Sequence, residues 1–214
     1  MSEVQAQAGV PAWPAYLDLA QPDLETVCAE LAAAGHQHAV VVPLLFTEAF
    51  HATVDVPEAV AQAGASTGID LVVTDILGTG DDVADVLLRA LAEAGVSPEP
   101  DAVLFAVGSS RAEANAAVAD LAARLSAARA GEVRAAFGTC DPRPAVVLDG
   151  LTGPVALWPL FLADGLLLDP LRRLATGRGW PMVEPLGALA ASLVRARYAA
   201  GLERSRPGAV GAGR

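Results

Sequence analysis

Val41-Val42-Pro43-Leu44-Leu45-Phe46-Thr47-Glu48-Ala49 and Leu157-Trp158-Pro159-Leu160-Phe161-Leu162-Ala163-Asp164-Gly165 are two renderings of one pattern, 116 positions apart. In each, an apolar run meets Pro, continues through further apolar residues and reaches a carboxylate. Such runs read as short parallel strands covered on both faces, leaving the sheet at a Pro that cannot donate to a ladder. Upstream, Leu17-Asp18-Leu19-Ala20-Gln21-Pro22-Asp23 matches Phe137-Gly138-Thr139-Cys140-Asp141-Pro142-Arg143 at an offset of 120. Downstream, Asp75-Ile76-Leu77-Gly78 matches Glu184-Pro185-Leu186-Gly187 at an offset of 109. Three ordered matches with a shrinking offset describe one structural unit occurring twice, with shorter loops in the second copy.

The rest of the chain alternates in the same way. Candidate strands are 15–19, 39–44, 70–76, 102–107, 133–137, 154–160 and 181–184; candidate helices are 23–34, 57–63, 81–94, 112–128, 166–176 and 186–200. Alternating strands and helices specify βαβ units with right-handed crossovers, hence an α/β protein with parallel sheets flanked by helices. The expected organisation is an N-terminal lobe over 1–98, a C-terminal lobe over 99–204 and a disordered Pro/Gly tail over 205–214. The second lobe opens with a strand, a turn and a helix over 102–125, ahead of its 133–137 strand. The same unit in the first lobe would fall before residue 1, and 1–14, with Pro11 and Pro14, holds no such pair. The first lobe is therefore expected to lack its opening strand-helix unit.

Composition narrows the chemistry. The 214 residues are 53% hydrophobic and 18% charged, enough apolar content for a packed core. All 14 basic residues are Arg, so Schiff-base, Walker-type and kinase lysines are excluded. Residues 1–88 hold 13 Asp/Glu and no Arg, whereas every Arg lies from Arg89 onward. An acidic first part repels nucleic acid and anionic membranes and attracts cations. Cys28 and Cys140 fit no disulfide framework and no zinc or iron–sulfur spacing, which suits a reduced cytoplasmic setting. No secretory leader and no membrane-spanning apolar run are expected.

Few residues can carry chemistry. His36 and His38 form a His-x-His pair before a strand; without a third ligand nearby they read as solvated loop residues. His51 follows the 39–44 strand at the carboxyl edge of the sheet, where α/β sites form. If 48–51 is helical, Glu48 and His51 share a face. The residues alone leave three readings: the pair binds a divalent ion, the carboxylate orients the imidazole, or both have a capping and surface role. Gly108-Ser109-Ser110-Arg111, between a strand and a helix, reads either as an anion cradle or as an ordinary turn with Ser as N-cap. Arg172 and Arg173 read as a solvated helix face.

Taken together, Val40-Val41-Val42-Pro43-Leu44-Leu45-Phe46, His51 and Asp55-Val56-Pro57 resemble the signature of CbiX-type sirohydrochlorin chelatases. Ala106-Val107-Gly108-Ser109-Ser110-Arg111 is similar to the Gly-Ser turn that opens each half of the tandem members. The resemblance spans about 14–200. It implies two flavodoxin-like lobes facing each other across a cleft, and insertion of Co²⁺ or Fe²⁺, with Ni²⁺ also suited to imidazole, into sirohydrochlorin for cobalamin or siroheme. The ion is a substrate and no permanent cofactor is implied. His51, helped by Glu48, would hold the metal and accept pyrrole protons; Gly108, Ser109, Ser110 and Arg111 would receive the carboxylate-rich ring. In that picture an acidic metal-side lobe faces an Arg-bearing anion-side lobe. The family's first ligand His, in a His-Gly-Ser/Thr-Arg turn, belongs to the opening unit, and Leu167 stands where the second lobe would repeat His51. A degenerate homologue that binds tetrapyrrole or metal without turnover is the alternative, and a homodimer in which a second chain completes the first sheet is the third reading.

Overall fold

The computed structural model describes residues 10–17, 20–151 and 153–205. Its described residues form two compact units, one drawn from Met1–Gly78 and Ala191–Arg214, the other from Thr79–Ala190.

In the first unit, α1 (Leu24–Ala33) begins where the Asp23 carboxylate accepts the Thr26 N–H at 2.8 Å. That bond holds the Asp23 carboxyl below its ordinary value. The helix stops at Gly35, whose φ of +89° lets its N–H and that of His36 reach the Ala32 and Leu31 carbonyls. β1 (His38–Val41) pairs in parallel with β2 (Asp70–Val73), His38 opposite Asp70 and Val41 opposite Val73. Between them lie a π-helical turn at His51–Asp55 and α2 (Val56–Thr67), which ends on Gly68 in the left-handed region. α1 and α2 bury Val27, Cys28, Leu31, Ala63 and Ile69 together, and burial pushes the Cys28 thiol up, away from the reactive thiolate. The β1–β2 pair is less well covered: Val40, Val41, Leu71, Val72 and Val73 are all half-buried.

The second unit contains α3 (Asp81–Glu93), β3 (Asp101–Ala106), α4 (Ala112–Ala127), β4 (Val133–Phe137), α5 (Pro144–Leu148), β5 (Val155–Pro159) and α6 (Asp169–Arg178), with 3-10 turns at Leu166–Leu168 and Gly187–Ala190. The sheet order is β4-β3-β5, all parallel, with β3 interior. Side chains alternate across it. Val103, Phe105, Val155 and Leu157 join Val147, Leu148, Leu168 and Leu171 in one core cluster. Val103, Leu104 and Phe105 are at most 3% exposed, each contributing about 1.5–3 kcal/mol by leaving water.

Backbone bonds of one kind recur in the two units, each with one partner a residue out of register with the aligned stretches. Tyr16 N–H donates to the Pro22 carbonyl at 2.9 Å, and Phe137 N–H to that of Pro142 at 2.9 Å. Gly78 N–H reaches the Leu45 carbonyl at 3.2 Å, as Gly187 N–H reaches that of Leu162 at 3.0 Å.

Several expectations change. The 15–19 strand reduces to a bridge between Tyr16 and Asp23, with Asp18 and Leu19 outside the described residues, and the 181–184 strand reduces to a bridge between Leu157 and Met182. The 166–176 and 186–200 helices each begin as a 3-10 turn, and the second reaches Ser205. The tail from 206 lies outside the described residues. The units do not divide the sequence at 98/99: α3 packs with α4 in the second unit, and α7 (Ala191–Ser205) packs on β1 and β2 in the first. A linear division assigns each helix to the strand before it, and both of these helices bury their apolar faces elsewhere. This also corrects the charge picture, because α7 brings Arg195, Arg197 and Arg204 into the first unit. Arg204 pairs with Asp75 at 3.1 Å, and Arg197 donates to the Ile76 carbonyl at 2.9 Å. Among the described residues, no helix is long and apolar enough to cross a membrane.

Candidate functional site

In the first unit the chain leaves β1 through buried Pro43 and runs as irregular loop to Ala49. It then winds into the π-helical turn His51–Asp55, in which the Val56 N–H reaches back to the His51 carbonyl. Ala52 and Thr53 both donate backbone N–H groups to the Ala49 carbonyl, at 3.1 and 3.2 Å. His51 therefore stands on a wide, hydrogen-bonded turn at the carboxyl end of β1, with 57% of its side chain exposed.

Glu48 is exposed and precedes the helical turn, so the shared helical face expected for Glu48 and His51 does not form. The carboxylate that meets the imidazole is Asp55, one turn later: His51 Nδ1 lies 2.5 Å from Asp55 Oδ2. Asp55 stands in the sequence beside Pro57, where it looks like part of a helix start. The signal that could have found it is its i, i+4 distance from His51, the spacing at which helical side chains meet.

The other two histidines are not brought to this edge. His36 packs edge-on against Trp13, with ring centroids 5.9 Å apart. His38 Nδ1 lies 3.3 Å from Asp70 Oδ2 across the β1–β2 pair, both groups well exposed. Among the described residues no three His, Cys, Asp or Glu side chains are grouped to hold a metal ion.

In the second unit, Gly108-Ser109-Ser110-Arg111 follows β3 and leads into α4. Gly108 is required twice over. Its φ is +89°, and a Cβ there would lie 2.8 Å from Cys140 Sγ and 2.9 Å from Phe137 Cβ. Asn115 closes the turn: its Oδ1 accepts the Ser109 N–H at 2.9 Å and its Nδ2 donates to the Ser109 carbonyl at 2.8 Å. Ser109 Oγ accepts the Arg111 N–H at 3.1 Å. Two amides that an anion cradle would use are thus engaged inside the turn, which leaves Ser110 and the first turn of α4 facing outward. No Ser is the N-cap; that position is Arg111, without a side-chain capping bond. Asn115 was missed because it sits inside an Ala-rich helical run. An Asn there, poor for a helix interior, was the available signal.

Beyond β5, exposed Leu166 and Leu167 occupy the 3-10 turn that corresponds to the His51 turn. Arg172, expected on a solvated face, instead pairs with Asp164 and lies 3.5 Å from Glu184 Oε2.

The family model CbiX matches residues 1–94, the portion that carries β1, the His51 turn and α2. SirB from Bacillus subtilis with Fe³⁺ superimposes with a TM-score of 0.80 at 22% identity, over 95% of this chain and 88% of that one. The sirohydrochlorin chelatase SirB from Bacillus subtilis subspecies spizizenii, in complex with cobalt, gives 0.77 at 22% identity over the same shares. CbiX, described as the terminal enzyme for biosynthesis of siroheme in denitrifying bacteria, gives 0.64 at 19% identity, over 96% of this chain and 89% of that one. No curated protein sequence matches. Residues 1–94 thus match the CbiX family, and 95% of the chain has the α/β fold of SirB.

Proposed function

We propose that the protein inserts a divalent metal, Co²⁺ or Fe²⁺, into sirohydrochlorin. The observation that carries this reading is the exposed His51 imidazole on its π-helical turn, with Nδ1 engaged by Asp55 and Nε2 directed away from that partner. The CbiX match over the same segment supports it. In the reaction two pyrrole N–H bonds break, two metal–nitrogen bonds form in their place, and two protons leave. Neutral imidazole is a good ligand for both ions and a proton acceptor, so in this reading His51 delivers the ion and takes up a proton. Glu48, exposed on the same loop, is the second donor in this reading. The ring's carboxylates are received at Gly108, Ser109, Ser110 and Arg111, through the Arg111 guanidinium and the outward amides of the turn.

A second reading, a protein that holds tetrapyrrole or metal without turnover, is favoured by one observation: no three ligating side chains are grouped among the described residues. Anaerobic insertion of Co²⁺ and Fe²⁺, followed by the absorption change of sirohydrochlorin, separates the two. Insertion faster than the protein-free rate and reduced by His51→Ala supports the chelatase. Tight sirohydrochlorin binding without acceleration by either ion overturns it in favour of the binding protein.

A further inference from the structure

We infer that Asp55 is the positioning residue for His51: its carboxylate holds the imidazole as the Nδ1–H tautomer, so that Nε2 is the bare, ligand-ready nitrogen. The inference rests on the proposed role of His51 as metal ligand. Three observations meet on this residue.

The first is direct geometry, since His51 Nδ1 lies 2.5 Å from Asp55 Oδ2. When the imidazole is neutral, the carboxylate accepts, so the proton must sit on Nδ1 and the lone pair on Nε2.

The second is that no backbone amide of α2 takes this carboxylate. Asp55 has helical angles, φ −66° and ψ −42°, inside winding that continues from His51 into α2, and its side chain makes no capping bond.

The third is the backbone between the two residues. His51–Asp55 is wound as a π-helix, closed by the bond from Val56 N–H to the His51 carbonyl. Single π turns concentrate at functional sites. The corresponding turn of the second unit, Leu166–Leu168, is a 3-10 turn of leucines leading into α6. The wider winding occurs with the imidazole and is absent from the leucine turn.

Orienting partners of this kind fix the tautomer and ring direction of metal-binding His residues, and their loss typically lowers metal affinity 10- to 100-fold. Two measurements on the full chain test the inference. Side-chain ¹⁵N–¹H correlation at pH 8, with the His51 signals assigned through His51→Gln, should show Nδ1–H and a bare Nε2. Asp55→Ala should shift His51 toward the Nε2–H form and weaken Co²⁺ binding by calorimetry about 10-fold or more. Asp55→Asn, which keeps an acceptor oxygen, should retain most of the tautomer. A purely structural role for Asp55 would move thermal stability and leave the tautomer in place. An Nε2–H form in the wild type, or a tautomer indifferent to Asp55→Ala, overturns the inference. Co²⁺ binding lost in His51→Gln but kept in Asp55→Ala also overturns it and leaves His51 standing as ligand. Co²⁺ binding unchanged in His51→Gln removes the ligand reading itself.

Discussion

Two glycines in helices should respond in opposite ways to the same substitution. Gly177 lies in α6, exposed, with nothing within 4 Å of where a Cβ would stand. Gly177→Ala therefore removes backbone entropy from the unfolded chain and adds no contact, and should stabilise by up to about 1 kcal/mol. Gly201 lies in α7 against the first unit's sheet, where a Cβ would come 2.8 Å from Thr74 Cγ2 and 3.0 Å from Val40 Cγ1. Both neighbours are β-branched and stiff about χ1, and Thr74 is buried with its hydroxyl on the Asp75 carbonyl. Neither can swing aside, so the helix must back away from β1 and β2. Overpacking of this kind costs about 1–3 kcal/mol. Against a propensity gain of about 1 kcal/mol, Gly201→Ala should destabilise by up to about 2 kcal/mol. In a chain of this size that lowers the thermal midpoint by up to roughly 8 °C. Urea unfolding followed by far-ultraviolet circular dichroism measures both variants. A Gly201→Ala protein more stable than the wild type would refute the close seating of α7 on the sheet.

Two further outcomes are expected. Gly108→Ala should destabilise the second unit by about 2–5 kcal/mol, combining a left-handed backbone position with overpacking against Cys140 and Phe137; thermal unfolding that matches the wild type would refute it. The Asp23 cap should add to α1 stability above the ordinary carboxyl value of 3.8 and lose that contribution as pH falls through its lowered folded value. Helix content followed from pH 7 to pH 2 should then fall with a smaller acid dependence in Asp23→Asn, and an identical profile would refute the cap.

The apolar strands of the second unit were the most legible part of the molecule, because parallel strands buried on both faces leave an uninterrupted hydrophobic signature. β4 and β5, and the helices α3 and α4, lie within a residue or two of the stretches read for them. What could not be read is how helices pair with sheets. The apolar stripe of α3 shows that it is buried but not against what, so the division at 98/99 was drawn one helix too late. At the site, His51 was legible from its place after a buried strand. Its partner was not, since choosing between Glu48 and Asp55 depends on where helical winding begins, and a π turn shifts that phase. Arg172 and Asn115 show the same limit: each is an ordinary helix residue in sequence, and only the folded chain brings a carboxylate pair to one and a turn to the other.

The placement of α7 sets an order of completion during synthesis. The second unit is a single continuous segment, Thr79–Ala190, and has all of its chain once residue 190 has left the ribosome. The first unit is begun earlier, yet the helix that packs on its half-buried β1–β2 pair ends at Ser205. The N-terminal unit is thus the last to be finished. A nonsense mutation or proteolytic cut just after residue 190 would leave the chain of the second unit complete and strip the cover from the sheet that leads to His51.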